Sequence, residues 1–301
     1  MHKSIKRIEL RIRLENLSFD VSDHMVRECT LLIRKWLMKM YKPPSKAVIL
    51  ARGLGTRMRA DAGAANLSED QLRVASQGIK TLMPVVGAKT MLELIVENLY
   101  EAGVSEICLV IGPEHNAIRE FCAAKDMKIE FAVQADPLGT ADAVLAAENW
   151  IHGDELFLAL NSDNLYPVES LQRLREINRP ALLGFEREAL ITNSNIPADR
   201  IAKFATLEVD IEGNLSHIIE KPDSVEPHWL VSMNAWLFSP MIFEACRTIE
   251  PSIRGEYEMA SAVQYAIEHL GEKFFIVRSS EGVLDLSSRA DIASVRRFLE
   301  N

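Results

Sequence analysis

Residues 47–59, AVILARGLGTRMR, constrain the fold of this chain more than any other stretch. The apolar run at 47–50 is short and unbroken, the pattern of a parallel strand buried on both faces. It breaks into Gly53 and Gly55, followed by Thr56, Arg57 and Arg59. Glycine permits a sharp turn and lets backbone N–H groups approach a ligand with no Cβ in the way. A strand feeding such a loop builds a nest of N–H donors suited to phosphate oxygens. Arg57 adds a cation able to grip a phosphate through two hydrogen bonds. No Gly-Lys-Ser/Thr follows, so the loop is not of the Walker type. Met58 stands where a dinucleotide fingerprint needs its third glycine. On these residues alone, a plain strand-to-loop turn with surface arginines stays open.

Beyond residue 46, strand-like and helix-like segments alternate, which predicts an α/β domain with a largely parallel sheet. Strands are expected at 107–111, 129–133, 156–160, 181–185, 229–238 and 274–277. A further pair, 201–209 and 215–219, flanks a Glu212-Gly213-Asn214 turn. Amphipathic spacing predicts helices at 91–102, 114–125, 142–149, 240–247, 259–270 and 289–299. A short helix near 68–76 has Ser68 as a candidate cap. In an open α/β sheet the ligand lies outside the carboxyl ends of the strands, so the loops after residues 50, 133 and 160 should line one crevice.

The net charge of −9 argues against a general nucleic-acid binder, and no apolar run is long enough for a transmembrane helix. No charged-then-apolar signal pattern marks the N-terminus. Cys29, Cys108, Cys122 and Cys246 are scattered without a C-x-x-C pair, as in reduced cytoplasmic proteins, and receive neither metal nor disulfide. Residues 1–45 hold ten Lys and Arg against five Asp and Glu, which leaves −14 on the remainder and marks a boundary near Pro43-Pro44. The expected organisation is therefore a basic arm at 1–45 and a main domain at 46–301. The arm contains an alternating stretch at 8–14 and an amphipathic helix at 24–40. It could dock a membrane surface or a partner, or be an extension from a start read too early, with Met40 as the true start; the passive reading is preferred.

Seven motifs stand in order: GLGTR at 53–57, Lys80 before LMPV, QADPLGTADA at 134–143, SDN at 162–164, EKP at 220–222, PSIRGE at 251–256 and LDL at 284–286. In that order they resemble the sugar-1-phosphate nucleotidyltransferases, which make nucleotide sugars. The resemblance covers residues 46–292 and implies a Rossmann-like, doubly wound α/β fold with a mixed, mostly parallel sheet. It implies transfer of a nucleoside monophosphate from a triphosphate to a sugar 1-phosphate, with release of pyrophosphate. Such chemistry needs positioning and charge neutralisation more than a protein nucleophile.

By this resemblance Arg57, Lys80 and Lys221 act on the phosphates. Leu50, Gly53, Gly55, Thr56, Gln134, Gly139 and Thr140 bind the nucleotide, while Glu220 and Asn234 meet sugar hydroxyls. Asp163 and Asp285 are the carboxylates expected to hold Mg²⁺, a hard ion that keeps several waters and bridges phosphate oxygens. Gln134 resembles a base-reading glutamine whose amide could donate to and accept from an imide edge at once, which favours UTP or dTTP, with CTP possible. A homo-oligomer is compatible with the sequence and not required by it.

Three departures from the family pattern stand out. Arg52 replaces the first of two adjacent glycines, so it should either reshape the loop or turn its side chain outward. Residues 58–79 make a longer insertion than usual, as an enlarged lid would. Ser287-Ser288 also stand where Gly-Thr is expected after Asp285. Arg52 and the missing Gly-Thr motivate a rival reading as a catalytically weak nucleotide-sugar sensor or regulatory subunit. An NAD-dependent oxidoreductase is a third reading, weakened by Met58.

Overall fold

The computed structural model describes residues 42–60, 67–220 and 228–300, all but Lys42 of which belong to the unit Pro43–Asn301. The expected arm at 1–45, with its strand and helix, lies outside the described residues except at its last few positions. The described chain begins with β1 (Lys46–Leu50), α1 (Thr56–Ala60), α2 (Glu69–Gln77), β2 (Pro84–Val86), β3 (Lys89–Thr90), α3 (Met91–Glu101) and β4 (Glu106–Ile111). It continues through α4 (Asn116–Ala124), β5 (Glu130–Val133), α5 (Thr140–Ala146), β6 (Phe157–Asn161), β7 (Asn164–Leu165), α6 (Val168–Arg175) and β8 (Ala181–Phe185). Then come α7 (Arg187–Asn193), α8 (Ala198–Ile201), β9 (Thr206–Val209), β10 (Leu215–Ile219) and β11 (Leu230–Phe238). The last elements are α9 (Met241–Thr248), α10 (Met259–His269), β12 (Phe275–Ser279), β13 (Leu284–Asp285) and α11 (Ala290–Glu300).

Successive side chains of a strand point to opposite faces, so a strand apolar at every position must be covered on both. In β1 and β4 this is what happens. Ala47, Ile49, Ile107, Leu109 and Ile111 enter one apolar core, and Val48, Cys108 and Val110 enter the other. The sheet between the two cores is mixed. β1 pairs in parallel with β4 and β6, and β4 with β5. The long β11 lies antiparallel to β6, β8 and β9, and extends the sheet to β10 and β12. The chain moves outward from β1 to β4 and β5, then crosses back to place β6 on the other side of β1. That reversal puts a topological switch point between β1 and β6, where ligands of open α/β sheets bind.

Local sequence accounts for the framework helices. Thr90 and Glu93 form a reciprocal capping box on α3, which buries Met91, Leu92, Ile95, Val96 and Leu99 along one stripe. Ser68 and Gln71 do the same for α2, and Gln71 Nε2 also donates to the Pro84 carbonyl (2.8 Å), tying the insertion to β2. The insertion ends at Gly78, in the left-handed conformation at the C-cap of α2, and its backbone closes directly on Gly55. One expected strand is corrected. Of residues 201–209 only Thr206–Val209 is extended, because Pro197 opens the short helix α8 through Ile201. Helices α6 and α7 add to those expected from the sequence. No helix among the described residues is long and apolar enough to cross a membrane.

Gly55 is at φ +60°, and a Cβ there would fall inside the contact distance of the Gly78 carbonyl. Gly53 has no such neighbour. Gly55→Ala should therefore cost more than the roughly 1–2 kcal/mol of a left-handed non-glycine residue, whereas Gly53→Ala should stay within about 0.5 kcal/mol of the parent. Urea midpoints of the two variants check the contrast.

Candidate active site

A cavity of about 540 Å³ opens at the carboxyl ends of β1, β5 and β6. Leu50, Gly53, Gly55, Thr56, Arg57, Lys80, Gln134, Gly139, Thr140, Asp163, Glu220 and Asn234 all line it. The three loops expected to share a crevice do so. Lys221 lies outside the described residues, and Asp285 is not on the cavity wall.

The glycine loop leaves β1 and turns into α1. The N–H groups of Gly53, Leu54 and Gly55 make no hydrogen bond among the described residues, and all three residues line the cavity. Arg57 is exposed and makes no ion pair among the described residues, while Met58 is fully buried and plugs α1 into the core. Across the cavity, Lys80 starts a single 3₁₀ turn and its Nζ lies 2.9 Å from Asp163 Oδ2, just beyond the end of β6. An ammonium thus already sits against the carboxylate that the sequence assigns to a cation.

Arg52 neither deforms the loop nor points to solvent. Its side chain turns inward and is buried, with Nε donating to the Gln134 carbonyl (3.2 Å). Its Nη1 forms an ion pair at 2.6 Å with Glu114 Oε1, without the alignment of a good hydrogen bond. The guanidinium thereby links the ends of β1, β4 and β5. Next to it, burial pushes the His115 pKa below its ordinary value, and Nδ1 of the ring accepts from Gly112 N–H (3.2 Å).

Gln134 is buried on the cavity wall, and its Nε2 donates to the Asp142 carboxylate (2.7 Å) and to the Gly139 carbonyl (3.0 Å). An amide that donates and accepts toward the base at once is therefore not what the structure provides, since both N–H groups are used inside the protein. Gly139 is at φ +115°, and a Cβ there would strike the Tyr257 backbone. Tyr257 also exchanges backbone bonds with Leu138 and Ala141, and Thr140 Oγ1 accepts from Met259 N–H (3.0 Å) at the start of α10.

On the opposite wall Asn234 is at φ +58°, within the register shift of β11. Tyr166, fully buried, donates its hydroxyl to the Met233 carbonyl (2.6 Å) and holds this bulge. Arg254 also lines the cavity, paired with Glu258 (2.9 Å) and Glu256 (3.8 Å). Reading the sequence gave no role to Arg254, Glu256, Glu258 or Tyr166. The PSIRGE motif was the available signal for the first two; a lone tyrosine under a bulge offers none.

Asp285 is buried beside Asn164 on the β7–β13 ladder, close behind Asp163. Asn164 Nδ2 lies 3.3 Å from its Oδ2, and Arg200 Nη2 lies 3.3 Å from its Oδ1. Arg200 also grips Asp291 through Nη1 (2.9 and 3.1 Å). Burial, and then the Asp163 carboxylate, push the Asp285 pKa up to about 6 against the pull of Arg200. Asp163 thus offers a hard oxygen to the cavity, which fits a divalent cation, whereas Asp285 is engaged with Arg200. No group of three or more metal-capable side chains occurs among the described residues.

With this geometry in view, comparison with known proteins decides the family. The family model described as nucleotidyl transferase matches residues 46–301. The chain belongs to the nucleotidyl transferase family. Among curated relatives, the low-salt glycan biosynthesis nucleotidyltransferase Agl11 of Haloferax volcanii is 32% identical over 229 residues, covering 74% of this chain and 57% of that one. The UTP–glucose-1-phosphate uridylyltransferase AglF of the same organism is 28% identical over 227 residues, covering 74% and 83%. The chain spans little more than half the length of several other curated relatives it matches. A crystal structure of UDP-glucose pyrophosphorylase complexed with UDP-glucose aligns with a TM-score of 0.67 at 18% identity, over 85% of this chain and 98% of that one. This last likeness shows that the nucleotidyl transferase has the same fold.

The interior position of Arg52 gives a direct expectation. Arg52→Ala removes a donor from the Gln134 carbonyl and the partner of Glu114, and should lower stability by about 1–3 kcal/mol. Arg59→Ala, at an exposed position, should stay within about 0.5 kcal/mol. Chemical denaturation of both variants is the check.

Proposed function

We propose that this nucleotidyl transferase joins a nucleoside monophosphate from UTP or dTTP to a sugar 1-phosphate, giving a nucleotide sugar and pyrophosphate. The supporting observation is the juxtaposition, at the β1–β6 switch point, of unbonded loop N–H groups, Arg57 and the Lys80–Asp163 pair. An oxygen of the sugar 1-phosphate attacks the α-phosphorus, and the bond from that phosphorus to the bridging oxygen of pyrophosphate breaks. Both reactants are anions, so the protein's task is to hold them close and balance their charge.

In this proposal the N–H groups of the glycine loop, with Leu50 and Thr56 beside them, and Arg57 hold the triphosphate. Lys80 leaves Asp163 for the reacting phosphates. Lys221 takes the sugar phosphate by its motif position, and Glu220 and Asn234 face the sugar hydroxyls. Asp163 would hold Mg²⁺, which when bound supplies positive charge to phosphate oxygens. Asp285 would join it only on release from Arg200. A cytoplasmic setting is part of the proposal, and among the described residues the buried thiols of Cys108, Cys122 and Cys246 are free.

The test is a matrix of UTP, dTTP, CTP, ATP and GTP against a panel of sugar 1-phosphates, read as pyrophosphate released with Mg²⁺ or with chelator. Release should need both substrates and Mg²⁺ and be fastest with UTP or dTTP. Asp163→Asn should lower turnover roughly a hundredfold or more with an unchanged melting temperature. Near-normal turnover of that variant at saturating Mg²⁺ would remove Asp163 from the metal site.

A further inference from the structure

We propose that Asp142 sets nucleobase selectivity by holding the Gln134 amide with its oxygen alone turned toward the cavity. The inference rests on the reading of this cavity as a UTP or dTTP site and specifies how that site selects its base. A carboxamide carries two N–H donors on nitrogen and two lone pairs on oxygen. Gln134 Nε2 lies 2.7 Å from Asp142 Oδ2 and 3.0 Å from the Gly139 carbonyl oxygen, so both donors are engaged.

The orientation follows from the chemistry of the neighbours. A carboxylate and a carbonyl only accept, so an amide turned over would set its oxygen against two other oxygens. The Asp142 bond is charge-assisted, the stronger of the two. Alone, the Gly139 carbonyl would bias the amide less. The main chain of Gln134 cannot rotate to compensate. Its N–H donates to the Ile111 carbonyl (2.9 Å), and its carbonyl accepts from Arg52 Nε (3.2 Å).

What remains for the base is Gln134 Oε1, an acceptor. Uracil and thymine present N3–H, a donor, and match it. Cytosine N3 and adenine N1 present lone pairs and are repelled. Reading by a single acceptor thus separates uracil and thymine from cytosine by the polarity of one ring atom, at nearly equal size. Asp142 touches no substrate in this scheme and is a positioning residue. Its place in the first turn of α5 suits an acid irrespective of this role, so the test must separate selectivity from stability.

The experiment compares the parent, Asp142→Ala and Asp142→Asn in kcat/KM for UTP, dTTP, CTP and ATP, with calorimetric binding of UDP and CDP beside it. In Asp142→Ala the amide is free to present either end. The preference for UTP over CTP should then fall about tenfold or more, with the change in KM rather than kcat and mirrored in the UDP-to-CDP affinity ratio. Asp142→Asn keeps an oxygen that accepts from Nε2 and should restore most of the preference. A purely structural role would lower the melting temperature or kcat for all nucleotides alike and leave the ratios unchanged. Unchanged ratios in Asp142→Ala overturn the inference while the pyrimidine reading stands. A parent enzyme that favours CTP or ATP overturns both.

Discussion

Burial of β1 on both faces is the constraint on which the rest of the site depends. A strand apolar at every position has to lie inside the sheet, so it takes parallel neighbours on either side. The chain supplies β4 on one side and returns to supply β6 on the other. The glycine loop, Asp163 and Gln134 are far apart in sequence, and they meet because three carboxyl ends are brought to one rim. The packing of apolar side chains thus decides where the charged ones come together.

Charge in the cavity is arranged in two ways. Lys80, Arg52 and Arg254 each rest on a carboxylate, so the site can be assembled without crowding like charges. Arg57 lies open to solvent beside the unbonded N–H groups of the glycine loop. A polyanion entering the cavity meets the open group first and competes with carboxylates for the others. Such a competition keeps the cations in place before the ligand arrives and limits what each contributes to binding.

Much of this was legible in the sequence, because the strands and their loops follow from local rules. The run at 47–50, the cap at Ser68 and the turn at Gly213 act over a few residues, and each has its own signature. The element missed at 198–201 shows the limit. Ile201 is apolar in a stretch that reads as extended, yet Pro197 and the packing of Ile201 in the core turn it helical. Side-chain pairing at long range was not legible. Nothing in the residues around Arg52 shows that its guanidinium reaches back to Glu114, and nothing around Asp285 shows that Arg200 meets it.

The bonds that join residues 138–141 to Tyr257 and Met259 have a consequence for how this protein can change. The base-side loop fits only because Gly139 has no side chain where Tyr257 lies, and α10 borrows its first cap from Thr140. Neither segment is a free module. A loop grafted from a relative without its partner at 257–259 would arrive with mismatched hydrogen bonds and a helix missing its cap. Lineages that alter nucleotide choice through this loop must carry the two segments together, as a single heritable piece.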